Sequence, residues 1–258
     1  MTRVIKVGGR AQSDPRLVPA LARAWRDGRD GGLCIVHGGG DEISTLQRAL
    51  GIEPTFVDGR RATTERDVDL VRMVLSGTAN KRLVAALVSA GVSAVGVSGE
   101  DAALLVAKPD ADARLGRVGA PHAINVGLLW HLLDGNYLPV ISPVGRAKGT
   151  DGVALNVNGD DAAAAIAVAL GAEELLFVAD VSGVLVQGKE IDALDTMEAA
   201  ELIAHGIAQG GMAAKLRAAS AALDGGVPRV RISDVHAVTD LGRGTILNAS
   251  PTPTKSLV

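Results

Sequence analysis

"RVIKVGGR", residues 3–10, decides how this chain reads. Val4, Ile5 and Val7 make a short β-branched run without polar alternation, the pattern of a strand covered on both faces of a parallel sheet. Gly8 and Gly9 close it, and a helical pattern follows from about Pro15 to Asp27. Lys6 is the odd member. A lysine is rarely buried without a partner, so the strand raises the question of what its ammonium faces.

The same unit recurs outward from there. "LCIVHGGG" (33–40) precedes "DEISTLQRAL" (41–50), and "SAVGVSG" (93–99) follows a long helical region from about Thr64 to Ala90. "LPVISPVG" (138–145), "ELLFVADVSG" (174–183) and "RVRIS" (229–233) complete the set, and "DDAAAAIAVAL" (160–170) reads as a buried helix. Apolar strands alternating with helices predict an α/β fold, a three-layer αβα sandwich around a mainly parallel central sheet. "PTFVDGRRAT" (54–63) and "AALLVAK" (102–108) with "LGRVG" (115–119) are short and broken by charge. They are expected to project from the sheet as hairpins. No Ser/Gly linker divides the chain, so one domain over 1–250 is expected. "RAKGTDG" (146–152) would join an N-lobe of about 1–150 to a C-lobe of about 151–250. The tail 251–258, with two prolines, is expected to be disordered.

Composition narrows the function. The 258 residues are 47% hydrophobic and 21% charged with a net charge of −3, which leaves no electrostatic footprint for nucleic acid or an anionic membrane. Aromatics are 2%, so the core must be Ala, Val, Leu and Ile, and base-stacking platforms are not expected. No apolar run reaches the roughly 20 residues of a membrane span. The first strand begins too early for a signal peptide, and the single cysteine, Cys34, sits in an apolar strand as a core residue. A soluble cytoplasmic protein is expected.

Three strands end in glycine-bearing turns: Gly8-Gly9, Gly38-Gly39-Gly40, and Asp180-Val181-Ser182-Gly183. In open parallel sheets, ligands bind beyond the carboxyl ends of the strands. Glycine lets backbone approach an anion, and free amides at the next helix start donate to it. Each turn alone could be only a tight turn; three at one edge point to an anion site. The phosphate-binding G-x-x-x-x-G-K-[ST] and G-x-G-x-x-G motifs are absent, and so is a G-x-S-x-G nucleophile elbow. The histidines (37, 122, 131, 205, 236) have no metal spacing, so no protein-bound metal is expected.

Two further stretches carry polar residues beyond what structure alone needs. "LNVNGDDAAAAIA" (155–167) sets Asn156, Asn158 and Asp160 at a helix entrance, where capping accounts for Asn158 or Asp160 but not the whole run. "QGGMAAKLRAA" (209–219) puts Lys215 early in a helix, opposed to the helix dipole. "KVGG" (6–9), "VHGGG" (36–40), "DGRRAT" (58–63), "NVNGD" (156–160), "DVSGV" (180–184) and "GGMAAK" (210–215), in this order, resemble the amino-acid kinase family. Within it they are most similar to the members that phosphorylate free N-acetyl-L-glutamate in arginine biosynthesis. The likeness runs from about residue 3 to "GRGTIL", near 247.

The resemblance implies the carbamate kinase-like fold and transfer of the γ-phosphoryl of ATP, with Mg²⁺, to the side-chain carboxylate of the acceptor. A carboxylate with a pKa of about 4.3 is ionised at neutral pH and needs no general base. The obstacle is charge: two unit charges 4 Å apart repel by about 4 kcal/mol at an effective dielectric of 20. By resemblance, Lys6 and Lys215 neutralise the migrating phosphoryl and Asp160 orients both. Gly8, Gly9 and Gly38 bind phosphate, and Gly39, Gly40, Arg61 and Asn156 bind the acceptor. Asp180, Ser182, Gly183, Val184, Gln209, Gly210 and Gly211 hold the nucleotide. Arg10, Asp58 and Gly159 depart from the family pattern, and Arg10 is left as either a solvated residue or a phosphate contact. A kinase acting on aminoadipate or glutamate carried by a small protein is the nearest alternative, although "LGRVG" is closer to the lid hairpin of the free-acid enzymes. A sensor without catalysis should have lost Lys6, Asp160 or Lys215. No room precedes the first strand for the helix of ring-forming, arginine-inhibited members, so an arginine-insensitive homodimer is expected. Val68, Val71, Val74 and Leu75 are candidate contacts for it, or ordinary core.

Overall fold

The six strands expected from the apolar runs all lie in one eight-stranded sheet. The computed structural model describes residues 1–28, 32–149 and 152–250. The centre of the expected 146–152 junction and the 251–258 tail lie outside the described residues.

In chain order the elements are β1 (Arg3–Val7), α1 (Leu17–Asp27), β2 (Leu33–His37), α2 (Gly40–Ala49), β3 (Phe56–Val57), β4 (Arg60–Arg61) and α3 (Glu65–Val71). A π-helical stretch (Arg72–Ala79) runs into α4 (Asn80–Ser89), followed by β5 (Ala94–Ser98), β6 (Leu105–Pro109), β7 (Val118–Ile124) and α5 (Val126–Asp134). Then come β8 (Leu138–Ser142), β9 (Val144–Ala147), β10 (Ala154–Val157), α6 (Gly159–Ala169), β11 (Glu174–Val178), and the hairpin β12 (Val184–Val186) and β13 (Lys189–Ile191). The chain ends with β14 (Ala193–Asp195), α7 (Thr196–Ala204), α8 (Gly210–Asp224), β15 (Val230–Ser233) and β16 (Thr245–Asn248).

The sheet order is β14-β16-β15-β11-β1-β2-β8-β5, parallel except where β15 meets β16. β1 is central, flanked by β2 on one side and β11 on the other. The chain builds outward from it in both directions, so β1 sits at the reversal of strand order where α/β sheets bind ligands. Period-two alternation decides which face each side chain takes. Ile5 and Val7, with Ile35, Leu176 and Val178, pack under α1 and α4. Val4, Val36 and Phe177 pack under α6 and α8, and Lys6, paired with Val36 and Phe177, points to that same layer. Alanine faces on α6 (Ala163, Ala167) and α8 (Ala218, Ala222) let the two helices approach closely over the sheet.

Two expectations are corrected. "AALLVAK" and "LGRVG" do lead into an antiparallel hairpin, β6–β7, but it does not project freely: with β9 and β10 it closes into a small barrel, β10-β7-β6-β9. Lys108 and Arg117, the charges that broke the apolar pattern, lie outside that barrel's interior, while Leu105, Ala107, Leu155 and Val157 fill it. "LPVISPVG" is not one strand: Pro143, which has no N–H for the ladder, ends β8 and passes the chain into β9. Its carbonyl accepts from Val157 N at 3.1 Å. Val68, Val71, Val74 and Leu75 are all buried, against Ile43, Val144 and Ala154, and are core rather than contact surface. The edge strand β14, its neighbour β16 and the β12–β13 hairpin escaped the sequence reading because each strand is only three or four residues long. Cys34 is buried, and desolvation pushes its thiol up to about 12. Among the described residues no helix is long and apolar enough to cross a membrane.

Candidate active site

Lys6, Asp160 and Lys215 meet at the carboxyl end of β1. The Lys6 ammonium is 2.8 Å from Asp160 Oδ1, and that of Lys215 is 3.5 Å from Oδ2. All three side chains are largely buried. Asp160 is held in the first turn of α6 by Asn158, whose side-chain oxygen accepts from the amides of Asp160 (2.7 Å) and Asp161 (3.4 Å). Of the two capping residues the sequence allowed, Asn158 does the capping and Asp160 is left for the lysines. Burial lowers the Lys215 pKa, Lys6 lowers it further, and Asp160 opposes both. Two ammonium groups sharing one carboxylate leave a net positive charge of one in a desolvated cleft, which favours an incoming anion.

The glycine edges divide into used and unused amides. Gly8 N–H donates to Val178 O and Gly38 N–H to Val7 O, each at 3.0 Å, extending the sheet ladder. The expectation that these two amides face phosphate is therefore corrected: the sheet takes them. Among the described residues the amides of Gly9, Gly39 and Gly40 donate to no backbone acceptor in the turns and loops. Gly39 could not carry a side chain without moving Leu75, whose Cδ2 would lie 2.7 Å from the added Cβ.

A residue missed by the sequence reading orients this edge. His37 is fully buried; its Nδ1 donates to Gly38 O (3.0 Å), and its Nε2 accepts from Asn80 Nδ2 (3.1 Å). Asn80 also donates to Val140 O (2.9 Å), which fixes the imidazole tautomer. Burial lowers the His37 pKa to about 4, so the ring is neutral. Gln12 Nε2 gives the Gly38 carbonyl a second donor at 2.7 Å. In a planar trans peptide the Gly39 N–H then points the opposite way. The available signal was a histidine ending a fully apolar strand, since a buried imidazole must satisfy both nitrogens.

A cavity of about 190 Å³ adjoins this edge, lined by Gly38, Gly39 and Gly40, Arg61 from β4, Asn156 from β10, and Pro143. Arg61 Nη2 donates to Gly40 O and Ser44 Oγ, each at 2.7 Å, and Nη1 to Gln47 Oε1 at 2.5 Å. Its guanidinium stacks on Phe56, 4.9 Å from the ring centroid. Among the described residues no carboxylate forms an ion pair with Arg61, and burial lowers its pKa. Asn156 Nδ2 donates to Thr63 Oγ1 (3.0 Å), which leaves its carbonyl side for other partners. The β3–β4 hairpin wall is tied to the barrel by Arg60–Asp110 at 2.6 Å.

A second cleft of about 440 Å³ lies across the lysines, lined by Lys6, Gly8, Gly9, Arg10, Asp41, Asp180, Gly211 and Lys215. The structure brings Asp180 and Gly211 here, but not Ser182, Gly183, Val184, Gln209 or Gly210. Ser182 Oγ donates to Glu190 (2.5 Å), and the Val184 side chain is in the core. A Cβ on Gly183 would meet Thr245 Oγ1 at 2.7 Å. Gln209 Nε2 donates to Gly206 O (2.7 Å), and Gly210 takes φ +50°, a left-handed turn that favours glycine. These residues shape the loops around the cleft without lining it. The described residues include no cluster of three or more His, Cys, Asp or Glu placed to hold a metal.

A model described as the amino acid kinase family matches residues 1–234. The chain is 46% identical over 241 residues to an acetylglutamate kinase of Chloroflexus aurantiacus, covering 93% of this chain and 94% of the relative. It is also 46% identical over 250 residues to an acetylglutamate kinase of Roseiflexus castenholzii, with 96% and 94% covered. Among solved structures it is similar to smu.665 from Streptococcus mutans, with a TM-score of 0.87 and 28% identity, covering 96% of this chain and 98% of that one. A Giardia lamblia carbamate kinase bound to AMP-PNP is similar with a TM-score of 0.72 at 16% identity, covering 96% and 98%, a likeness of fold alone.

Proposed function

The chain belongs to the amino acid kinase family, and on that premise we propose that it transfers the γ-phosphoryl of ATP to the γ-carboxylate of N-acetyl-L-glutamate, a step of arginine biosynthesis. The relatives named acetylglutamate kinase support this acceptor. The observation that carries it is Arg61: a half-buried guanidinium in a small cavity with neutral hydrogen-bond partners only, next to a lysine pair. An α-carboxylate supplies the missing counter-charge through the two-pronged geometry guanidinium favours. Asn156 receives the acetamido group, and the free amides of Gly39 and Gly40 face the acceptor.

The acceptor carboxylate oxygen attacks the γ-phosphorus. A C–O–P acyl phosphate forms, the bond to the β-phosphate bridging oxygen breaks, and ADP leaves with that electron pair. No proton moves, because the nucleophile is already ionised. What the protein contributes is alignment and positive charge. Lys6 and Lys215 bracket the migrating group, and Asp160 keeps their ammonium groups converged before the polyanion arrives. Gly9 adds an amide. Asp180, Gly211 and the loops through Ser182, Gly183, Val184, Gln209 and Gly210 form the nucleotide side. Mg²⁺, when bound together with ATP, would offset phosphate charge as a hard cation that prefers oxygen ligands.

On this reading the acceptor is held by the first lobe, about 1–150, with Asn156 added, and the nucleotide by the second, about 151–250. The protein is a cytoplasmic homodimer, with the exposed Met73 on the long helix among the apolar residues free to meet a partner. Steady-state assay with free N-acetyl-L-glutamate and MgATP tests the reading. Turnover only with a carrier-linked acid overturns the acceptor, and no turnover with any carboxylic acid overturns the kinase.

A further inference from the structure

We infer that Arg10 is a phosphate-binding residue, the third cation of the nucleotide cleft, seated on two carboxylates until a polyphosphate draws it away. This rests on the kinase reading above. Arg10 begins the 3-10 turn that follows Gly9. Its Nη1 is 3.2 Å from Asp180 Oδ2, and its Nε is 3.6 Å from Asp41 Oδ2. Asp180 follows β11 and Asp41 opens α2 behind β2, so the guanidinium spans from one neighbour of β1 to the other.

All three groups line the same cleft as Lys6 and Lys215. Without Arg10, neither Asp41 nor Asp180 would have an ion-pair partner within 4 Å among the described residues, at the entrance to a site for a polyanion. Its hold on them is loose. The side chain is 74% exposed, and exposed ion pairs of this kind are weak. A phosphate offers the same guanidinium a stronger, two-pronged partner. Lys6 and Lys215 are buried on Asp160 at the reacting end, whereas Arg10 is at the rim and free to swing.

The test measures binding of MgATP, MgADP and adenosine by calorimetry to the intact protein, Arg10→Ala and Arg10→Lys, alongside steady-state kinetics. Arg10→Ala should weaken MgATP at least tenfold, leave adenosine within twofold, and leave the KM for N-acetyl-L-glutamate unchanged. Arg10→Lys should recover part of the loss. Arg10→Ala that binds MgATP within twofold of the parent overturns the inference, and so does an equal loss for adenosine, which would make Arg10 a shaper of the cleft. A parent protein that turns over normally isolates either failure to Arg10. A parent that binds no MgATP overturns the kinase reading and this inference with it.

Discussion

Replacing Asp160 by Asn removes the one carboxylate between two buried ammonium groups. At 2.8 and 3.5 Å the attractions lost are about 6 and about 5 kcal/mol at an effective dielectric of 20, gross of solvation. Removing one partner of a buried ion pair costs about 3–5 kcal/mol net. The lower end applies here, because Lys215 has an escape. Its pKa is already lowered by burial and then by Lys6, and losing Asp160 removes the charge that opposes both, so its ammonium gives up its proton more readily than in the parent. We expect Asp160→Asn to lose about 3 kcal/mol at pH 7, a fall in Tm of about 6–12 °C for a chain of this size. The sign with pH follows from proton counting. A lysine whose folded pKa lies below its unfolded one binds fewer protons when folded, so stability rises with pH through the folded value. The deficit should therefore shrink as the pH is raised from 7 toward the ordinary lysine value. Pyrophosphate or MgADP should restore much of the lost Tm, because the ligand supplies the missing negative charge. Scanning calorimetry across that range, with and without ligand, is the assay. An unliganded Asp160→Asn that melts within about 1 °C of the parent at pH 7 would refute the electrostatic account.

Lys6→Ala and Lys215→Ala should each lower kcat by about two orders of magnitude or more, with MgADP binding weakened less; either variant at near-parental kcat has lost its assigned role. Arg61→Lys keeps the charge but cannot satisfy three acceptors from one fork, so the KM for N-acetyl-L-glutamate should rise about tenfold or more, and an unchanged KM excludes the carboxylate contact. Asp161, pushed up to about 6 by burial and then by Asp160, is a carboxyl that folding holds above its ordinary value. Its charged form destabilises the native state above that pH, so Asp161→Asn should be more stable by about 2 kcal/mol at pH 8, with the gap closing toward pH 4. Urea midpoints that coincide at pH 8 would contradict this.

Much of this was legible in the sequence, and the reasons are local. A fully apolar run with one lysine at even spacing from Val4 fixes both the strand and the layer Lys6 points to. Asn158 and Asp160 fell at a helix entrance with one cap to fill. Lys215 was readable only through resemblance, because a lysine early in a helix otherwise looks solvated. The roles of Gly8 and Gly38 were misread because a glycine does not reveal whether its amide is already paired; that depends on the neighbouring strand. The burial of the Val184 side chain was hidden for a related reason, since side-chain facing in a three-residue strand is set by what it packs on. The barrel was hidden because closure depends on pairings between segments far apart in the chain.

Pro143 passes the chain from the large sheet to the barrel, and with it the molecule separates two inheritances. On the proposed function, the groups that handle phosphoryl charge stand on the central sheet and the two helices that cover it, whereas much of the wall that judges the acceptor belongs to a hairpin and a barrel rim hung beside it. A descendant taking up a different acid need rewrite only those walls, while the lysine pair and its aspartate pass on unaltered.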